Sequence, residues 1–159
     1  MQLREGEKIV KIYHHHLTPY LFDILKVIAV FAVLWTLVLG MRDVFSSGVF
    51  LIVNIALLGL FIAIDVYLGL IYWLDRLVVT NFRVIYIDYK YLTVKDESTA
   101  DLKDIQDIIT HEKGILSRFK FFDYGTLKLD TPSSYVTLVF PDAPDPEGIR
   151  QLIYKVRNQ

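Results

Sequence analysis

The chain has no cysteine. That absence rules out disulfides, thiol catalysis and cysteine-ligated zinc or iron–sulfur centres, and it fits a reducing cytoplasm. An excess of charge of either sign is missing as well, with 17 Lys and Arg against 18 Asp and Glu. The net charge is −1 over 159 residues, too little for the basic surface that nucleic-acid binding requires, so no nucleic-acid partner is expected. There is no internal repeat and no low-complexity tract. Neither a nucleophile motif, a glycine-rich phosphate loop nor a metal-ligand spacing is assembled, so no enzyme activity and no cofactor is expected.

What the chain does have is apolar length. Hydrophobic residues make up 53% of it, concentrated in the first half as two runs, 25–39 and 49–73. Crossing a bilayer core about 30 Å thick takes roughly 20 apolar helical residues, and residues 19–40 and 48–73 each supply such a span. Soluble helices keep one polar face, whereas Val27-Ile28-Ala29-Val30-Phe31-Ala32-Val33-Leu34-Trp35 has none. In lipid, backbone amides must be satisfied within their own segment, which makes each run a helix. The link Met41-Arg42-Asp43-Val44-Phe45-Ser46-Ser47 is too short for a domain, so the spans form a tight antiparallel hairpin. Ser46-Ser47-Gly48 resembles a signal-peptide cleavage site, but the preceding segment is long and of mixed charge, and a second span follows at once.

Arg4, Lys8, Lys11 and Lys26 lie before or at the start of the first span and Arg76 and Arg83 after the second, while the link carries only Arg42 beside Asp43. Positive residues near span ends stay in the cytoplasm. The expectation is therefore a multi-pass protein of the plasma (inner) membrane with both termini cytoplasmic. Tyr20, Trp35, Tyr67, Tyr72 and Trp73 fall near span ends, where amphipathic rings favour the headgroup zone.

Asp23, Lys26, Asn54 and Asp65 fall within or at the edges of the spans. With the turn centred near 44–45, Asp23 and Asp65 lie at similar depth, and Lys26 is about one helical turn deeper than Asp23. Asp23 and Lys26 share a helix face through i,i+3 spacing. Lys26 is expected to be neutralised by Asp65, by Asp23 or by both, because an unpaired charge in lipid costs several kcal/mol. This set reads as an intramembrane polar clamp fixing hairpin register. The alternative is an ion path, but two spans enclose a pore only by oligomerising. Gly59 and Ala63 add a small-residue face able to pack a helix of the same chain or a second copy.

From Leu77 the pattern changes. Leu77-Val78-Val79-Thr80 and Val84-Ile85-Tyr86-Ile87-Asp88 are short β-branched and aromatic runs with the turn-prone Asn81 between them. Residues 92–95 and 98–102 read as two further strands flanking Asp96-Glu97. Residues 105–112 alternate partly. Gly125-Thr126-Leu127-Lys128-Leu129-Asp130 alternates clearly, answered by Tyr135-Val136-Thr137-Leu138-Val139-Phe140 across a turn at Thr131-Pro132-Ser133-Ser134. About seven short antiparallel strands imply a bent sheet or small barrel. One helix closes the chain: Asp145 can cap it, Pro146 and Glu147 suit its first turn, and Ile149, Leu152, Ile153 and Val156 form a single apolar stripe that must cover the β-domain.

Residues 76–156 resemble the bacterial pleckstrin-homology-like, membrane-flanked domain family, which occurs fused to transmembrane hairpins. The resemblance rests on Leu77-Val78-Val79-Thr80-Asn81-Phe82-Arg83-Val84-Ile85, on Asp101-Leu102-Lys103-Asp104-Ile105-Gln106-Asp107-Ile108 and on Lys113-Gly114-Ile115-Leu116-Ser117-Arg118. It continues through Asp123-Tyr124-Gly125-Thr126-Leu127 and Phe140-Pro141-Asp142-Ala143-Pro144-Asp145-Pro146. Glu5-Gly6-Glu7-Lys8-Ile9-Val10 with His14–His16 resembles the lead-in before the first span. The resemblance implies a membrane helical hairpin plus a mainly-β, pleckstrin-homology-like barrel capped by a C-terminal helix. The divisions are a lead-in at 1–18, spans at 19–40 and 48–73, and the β-domain at 76–159. Fold alone does not confer lipid binding.

Three features compete as sites. His14-His15-His16 could bind metal, but consecutive histidines do not share a helix face, and an interfacial lead-in explains them as well. His111-Glu112 could be half of an acid–base pair or a solvated strand edge. Lys113, Arg118, Phe119 and Lys120, with Phe121 and Phe122, could touch anionic lipid or a partner, each cation contributing about 1 kcal/mol. The same alternation also describes a half-buried strand. Together these features point to a non-catalytic interaction or scaffold module, held in the lipid bilayer by its two-helix hairpin and acting on a protein partner or as a homo-oligomer. An anionic-lipid-sensing surface module and a small oligomeric transport subunit are the alternatives.

Overall fold

The structure, a computed structural model, describes residues 2–112, 123–131 and 138–158. The chain divides into two compact units, one of residues 19–70 and one combining residues 1–18 with 71–159.

The first unit holds most of α1 (Leu17–Gly40) and α2 (Ser47–Leu74). Both helices are long and apolar enough to cross a membrane. Phe31 meets Phe61 edge to face with ring centroids 5.1 Å apart, and Trp35 Nε1 donates to Asn54 Oδ1 at 2.9 Å. Asn54 in turn donates from Nδ2 to the Phe50 carbonyl. The indole and amide thus satisfy one another between the helices, as polar groups in an apolar setting must.

The second unit is two antiparallel sheets and a helix. The first sheet has strand order β1-β2-β3-β4, made of β1 (Ile9–His14), β2 (Arg76–Thr80), β3 (Arg83–Tyr91) and β4 (Val94–Asp101). The second has order β5-β6-β7, made of β5 (Asp107–Glu112), β6 (Tyr124–Asp130) and β7 (Leu138–Pro144). The period of two along a strand sends Leu77, Val79, Val84 and Tyr86 from the first sheet, and Leu127, Leu129, Leu138 and Phe140 from the second, into one core. Helix α3 (Pro146–Arg157) adds Ile149, Ile153 and Val156 to that core, with Leu152 packed beside it. The expected apolar stripe is the face that caps the core. Asp145 Oδ1 accepts the Gly148 N–H at 2.8 Å, and Pro146 opens the first turn, so the capping read from sequence is present.

Several boundaries differ from the sequence expectation. Residues 92–95 and 98–102 do not form separate strands: Leu92-Thr93 is the turn, and β4 runs unbroken through Asp96 and Glu97. Asp96 pairs with Asp88 and Glu97 with Ile87 in the ladder, while their carboxylates bind Lys90 and Lys95. Charged side chains on an exposed strand leave the backbone ladder intact. β7 continues past Phe140 through Pro141 and Pro144, which it tolerates as an edge strand needing fewer donors. The expected turn at 131–134 falls almost wholly outside the described residues.

The largest addition is β1. Residues 1–18, read as a lead-in, supply a strand paired along the length of β2, with Ile12 opposite Val78 and His14 opposite Arg76.

Candidate functional site

The N-terminal segment is fastened by a buried carboxylate. Arg4-Glu5-Gly6-Glu7 turns tightly, with Gly6 at φ 79°, a conformation that favours glycine. The turn aims Glu7 at the β2–β3 connection. Glu7 Oε1 accepts from Thr80 Oγ1 at 2.8 Å and from Arg83 Nε at 2.9 Å, and Oε2 accepts from the Arg4 N–H at 2.7 Å. The Arg83 guanidinium, helped by Arg4 and Thr80 against the penalty of burial, holds this carboxyl down at about 2. Asn81 completes the fastening, accepting the Lys8 N–H at 2.7 Å and donating to the Gly6 carbonyl.

A second polar cluster lies at the other end of the same sheet, where the chain passes from β1 to α1 and from α2 to β2. His15 Nδ1 donates to the Pro141 carbonyl at 2.7 Å, its ring lies 4.9 Å from Phe140, and its Nε2 is 3.7 Å from Asp75 Oδ2. Tyr72 donates its hydroxyl to the His15 carbonyl at 2.7 Å. Asp75 Oδ1 accepts the Tyr89 N–H at 2.7 Å. Burial pushes the Asp75 carboxyl up to about 6, opposed by the Tyr89 N–H and aided by Asp88. Burial also lowers His15, against the Pro141 carbonyl and the carboxylates of Asp142 and Asp88. With Nδ1–H committed to Pro141, the neutral ring leaves Nε2 unprotonated where it faces Asp75. His16 stacks on Tyr124 at 5.4 Å, its N–H donates to the Asp142 carbonyl, and its Nδ1 accepts the Thr18 N–H.

These contacts account for His15 and His16, while His14 ends β1 opposite Arg76. His15 and His16 engage different backbone groups, and among the described residues no group of three or more His, Asp or Glu side chains could hold a metal. His111 and Glu112 end β5 on exposed backbone opposite Thr126 and Gly125. A Cβ at Gly125 would lie 2.2 Å from the His111 carbonyl oxygen, so a glycine is needed where these strands approach. An open groove of about 490 Å³ is floored by Phe82, Leu102 and Val156 and rimmed by charges of both signs, including the Arg4–Asp101 pair. It has no single-sign field to attract a charged ligand.

Of the residues singled out from sequence, Asp23 and Lys26 meet, with Oδ1 and Nζ 2.7 Å apart within α1. Asp65 takes part in no ion pair among the described residues, and its Oδ1 is buried without a hydrogen-bond partner. Lys113, Arg118, Phe119 and Lys120 lie outside the described residues. From sequence, His15 stands out only as one of three consecutive histidines and Arg83 only as a positive charge after the second span, while Glu7 and Asp75 carry no site signal. Their partners are up to 126 positions away, and no local pattern announces such pairs.

Comparison with known proteins agrees with the likeness read from the residues. Residues 62–131 match the model of the family described as Bacterial PH domain. Among solved structures, the chain is similar to a DUF1696 family protein with a pleckstrin-homology domain from Shewanella loihica PV-4, at 25% identity and TM-score 0.40, covering 52% of this chain and 70% of that one. It is similar also to a pleckstrin homology domain from Shewanella amazonensis SB2B, at 24% identity and TM-score 0.41, covering 52% and 66%. A comparison with curated proteins found no match. The chain carries a PH-like domain, and over residues 62–131 it is similar to the Bacterial PH domain family.

Proposed function

We propose that this protein is a membrane-anchored, non-catalytic interaction module, held by a two-span hairpin with its PH-like domain and both termini in the cytoplasm. It works through a protein partner or through self-assembly. The observation that carries this reading is the pairing of β1 with β2. Two strands hydrogen-bonded to each other lie on the same side of any bilayer, so the helices between them must cross an even number of times. With mean hydropathies of 2.3 and 2.6, the helices suit two crossings. Signal cleavage near Ser46 would strip β1, Glu7 and His15 from the domain, a further argument for a retained hairpin. The excess of Lys and Arg on the β-domain side supports the cytoplasmic orientation. Permanent anchoring removes the need for lipid affinity as a recruiting device, which favours a protein or a second copy as the ligand.

Because the chain lacks cysteine, single cysteines report topology cleanly. Ser46→Cys is expected to react with a membrane-impermeant maleimide on intact cells, and Asn158→Cys only after permeabilisation. The protein is expected to stay in the membrane through an alkaline carbonate wash. Release by carbonate overturns the anchoring, and inverted labelling overturns the orientation. Mass measurement in nanodiscs then separates a self-assembled form from a single 18.5 kDa chain awaiting a different partner.

A further inference from the structure

We propose that the tip of the β3–β4 hairpin, Tyr91-Leu92-Thr93-Val94, is a second membrane contact: an apolar wedge that enters the headgroup–acyl boundary without needing anionic lipid. This inference rests on the two-span reading above.

Register places the tip. The chain leaves the first sheet after His14 and re-enters it at Arg76, and these two residues are opposite one another, so both connections to the apolar helices emerge from one sheet end. The first residues of α1 and the last turn of α2 belong to the same compact unit as the sheet. β3 runs antiparallel to β2 and reaches that end at Ile87, the partner of Arg76. It then continues through Asp88, Tyr89, Lys90 and Tyr91 before β4 returns. At about 3.3 Å per residue the hairpin therefore projects roughly 13 Å beyond the start of β2. It projects past the sheet end at which the chain leaves for α1 and returns from α2, and Asp75, the first residue after α2, accepts the Tyr89 N–H at the root of the projection.

The composition of the tip names the occupant. Tyr91 is 62% exposed, Leu92 41% and Val94 43%. A tyrosine beside two aliphatic residues is the side-chain set that partitions into a bilayer interface. Charge does not recruit it. Lys90 is paired with Asp96 at 2.6 Å and Lys95 with Glu97 at 2.7 Å, and with Asp88 the projection carries more acid than base. An anionic surface would offer it no net attraction. The wedge therefore enters through its apolar area, in neutral and anionic bilayers alike.

The test uses the full chain in phosphatidylcholine vesicles containing spin-labelled lipid, with and without phosphatidylglycerol, at low and high salt. Single cysteines carry an environment-sensitive fluorophore at position 92 (Leu92→Cys), at mid-α2 (Leu58→Cys) and at the β2–β3 turn (Asn81→Cys), the opposite sheet end. The expected result is strong quenching at position 58, quenching at position 92 at least several-fold above that at position 81, and no dependence on phosphatidylglycerol or salt. Quenching at 58 without quenching at 92 overturns the wedge and leaves the hairpin reading standing. Quenching at 92 only with phosphatidylglycerol and low salt overturns the apolar mechanism in favour of electrostatic docking. Absence of quenching at 58 overturns both readings.

Discussion

Glu7 and Asp75 are both buried carboxylates just outside the strands of one sheet, Glu7 before β1 and Asp75 before β2, yet their neighbours drive them in opposite directions. Arg83 lowers the Glu7 carboxyl from 4.5 to about 2, so the stability it contributes is complete above pH 4.5 and is lost as the pH falls toward 2. Burial raises Asp75 from 3.8 to about 6, so the stability tied to its protonated form is complete below pH 3.8 and is lost as the pH rises through 6. Glu7→Gln should therefore cost about 2 kcal/mol near neutrality, with the deficit narrowing in acid. Asp75→Asn retains an acceptor for the Tyr89 N–H and carries no charge, so it should stabilise the fold above pH 6 and give no gain near pH 4. Thermal melts in mild detergent across this range check both. A Glu7→Gln deficit that stays constant in acid would contradict the ion-pair account.

At the scale of elements, α3 is the part whose role follows most directly from its pattern. An i, i+3, i+4, i+7 stripe on a helix with charges elsewhere has to be buried, and Ile149 and Ile153 are fully so. Ile153→Ala should cost about 3 kcal/mol, the usual range for truncating an enclosed aliphatic side chain, while Gln151→Ala on the exposed face should change little; urea titration compares them. β4 shows where the same reasoning fails. Asp96-Glu97 looks like an interruption when strands are read from side-chain character, but a ladder is held by backbone groups, and Lys90 and Lys95 absorb the charge. β1 failed for a different reason. Its residues are mostly exposed, so no alternation marks it, and its strand partner β2 lies beyond the entire hairpin.

At the scale of the molecule, that insertion means the β-domain is discontinuous in sequence. The segment 76–159, which composition sets off as a domain, lacks an edge strand, the Glu7 carboxylate that Arg83 and Thr80 bind, and the His15 ring that packs on Phe140. A fragment of 71–159 should melt at a lower temperature than a version in which 2–16 is joined to 75–159 by a short flexible linker. Synthetic peptide 2–16 added in trans should recover part of the difference. Calorimetry of the three samples decides it, and equal melting temperatures would show that β1 contributes nothing to stability.

By itself the sequence determined the two apolar helices, the β-branched and alternating strands and the capped C-terminal helix. Each of these is written in residues within a few positions of one another, where hydrophobic period, turn chemistry and capping act. Only the tertiary structure decided that the N-terminal segment is a strand of the β-domain, that Glu7 meets Arg83, that His15 faces Asp75, and that the β3–β4 tip projects past the end of β2. Those relations join residues separated by the length of the hairpin or depend on register between strands. Backbone hydrogen bonding sets such register across space, and side-chain pattern along the chain carries no record of it.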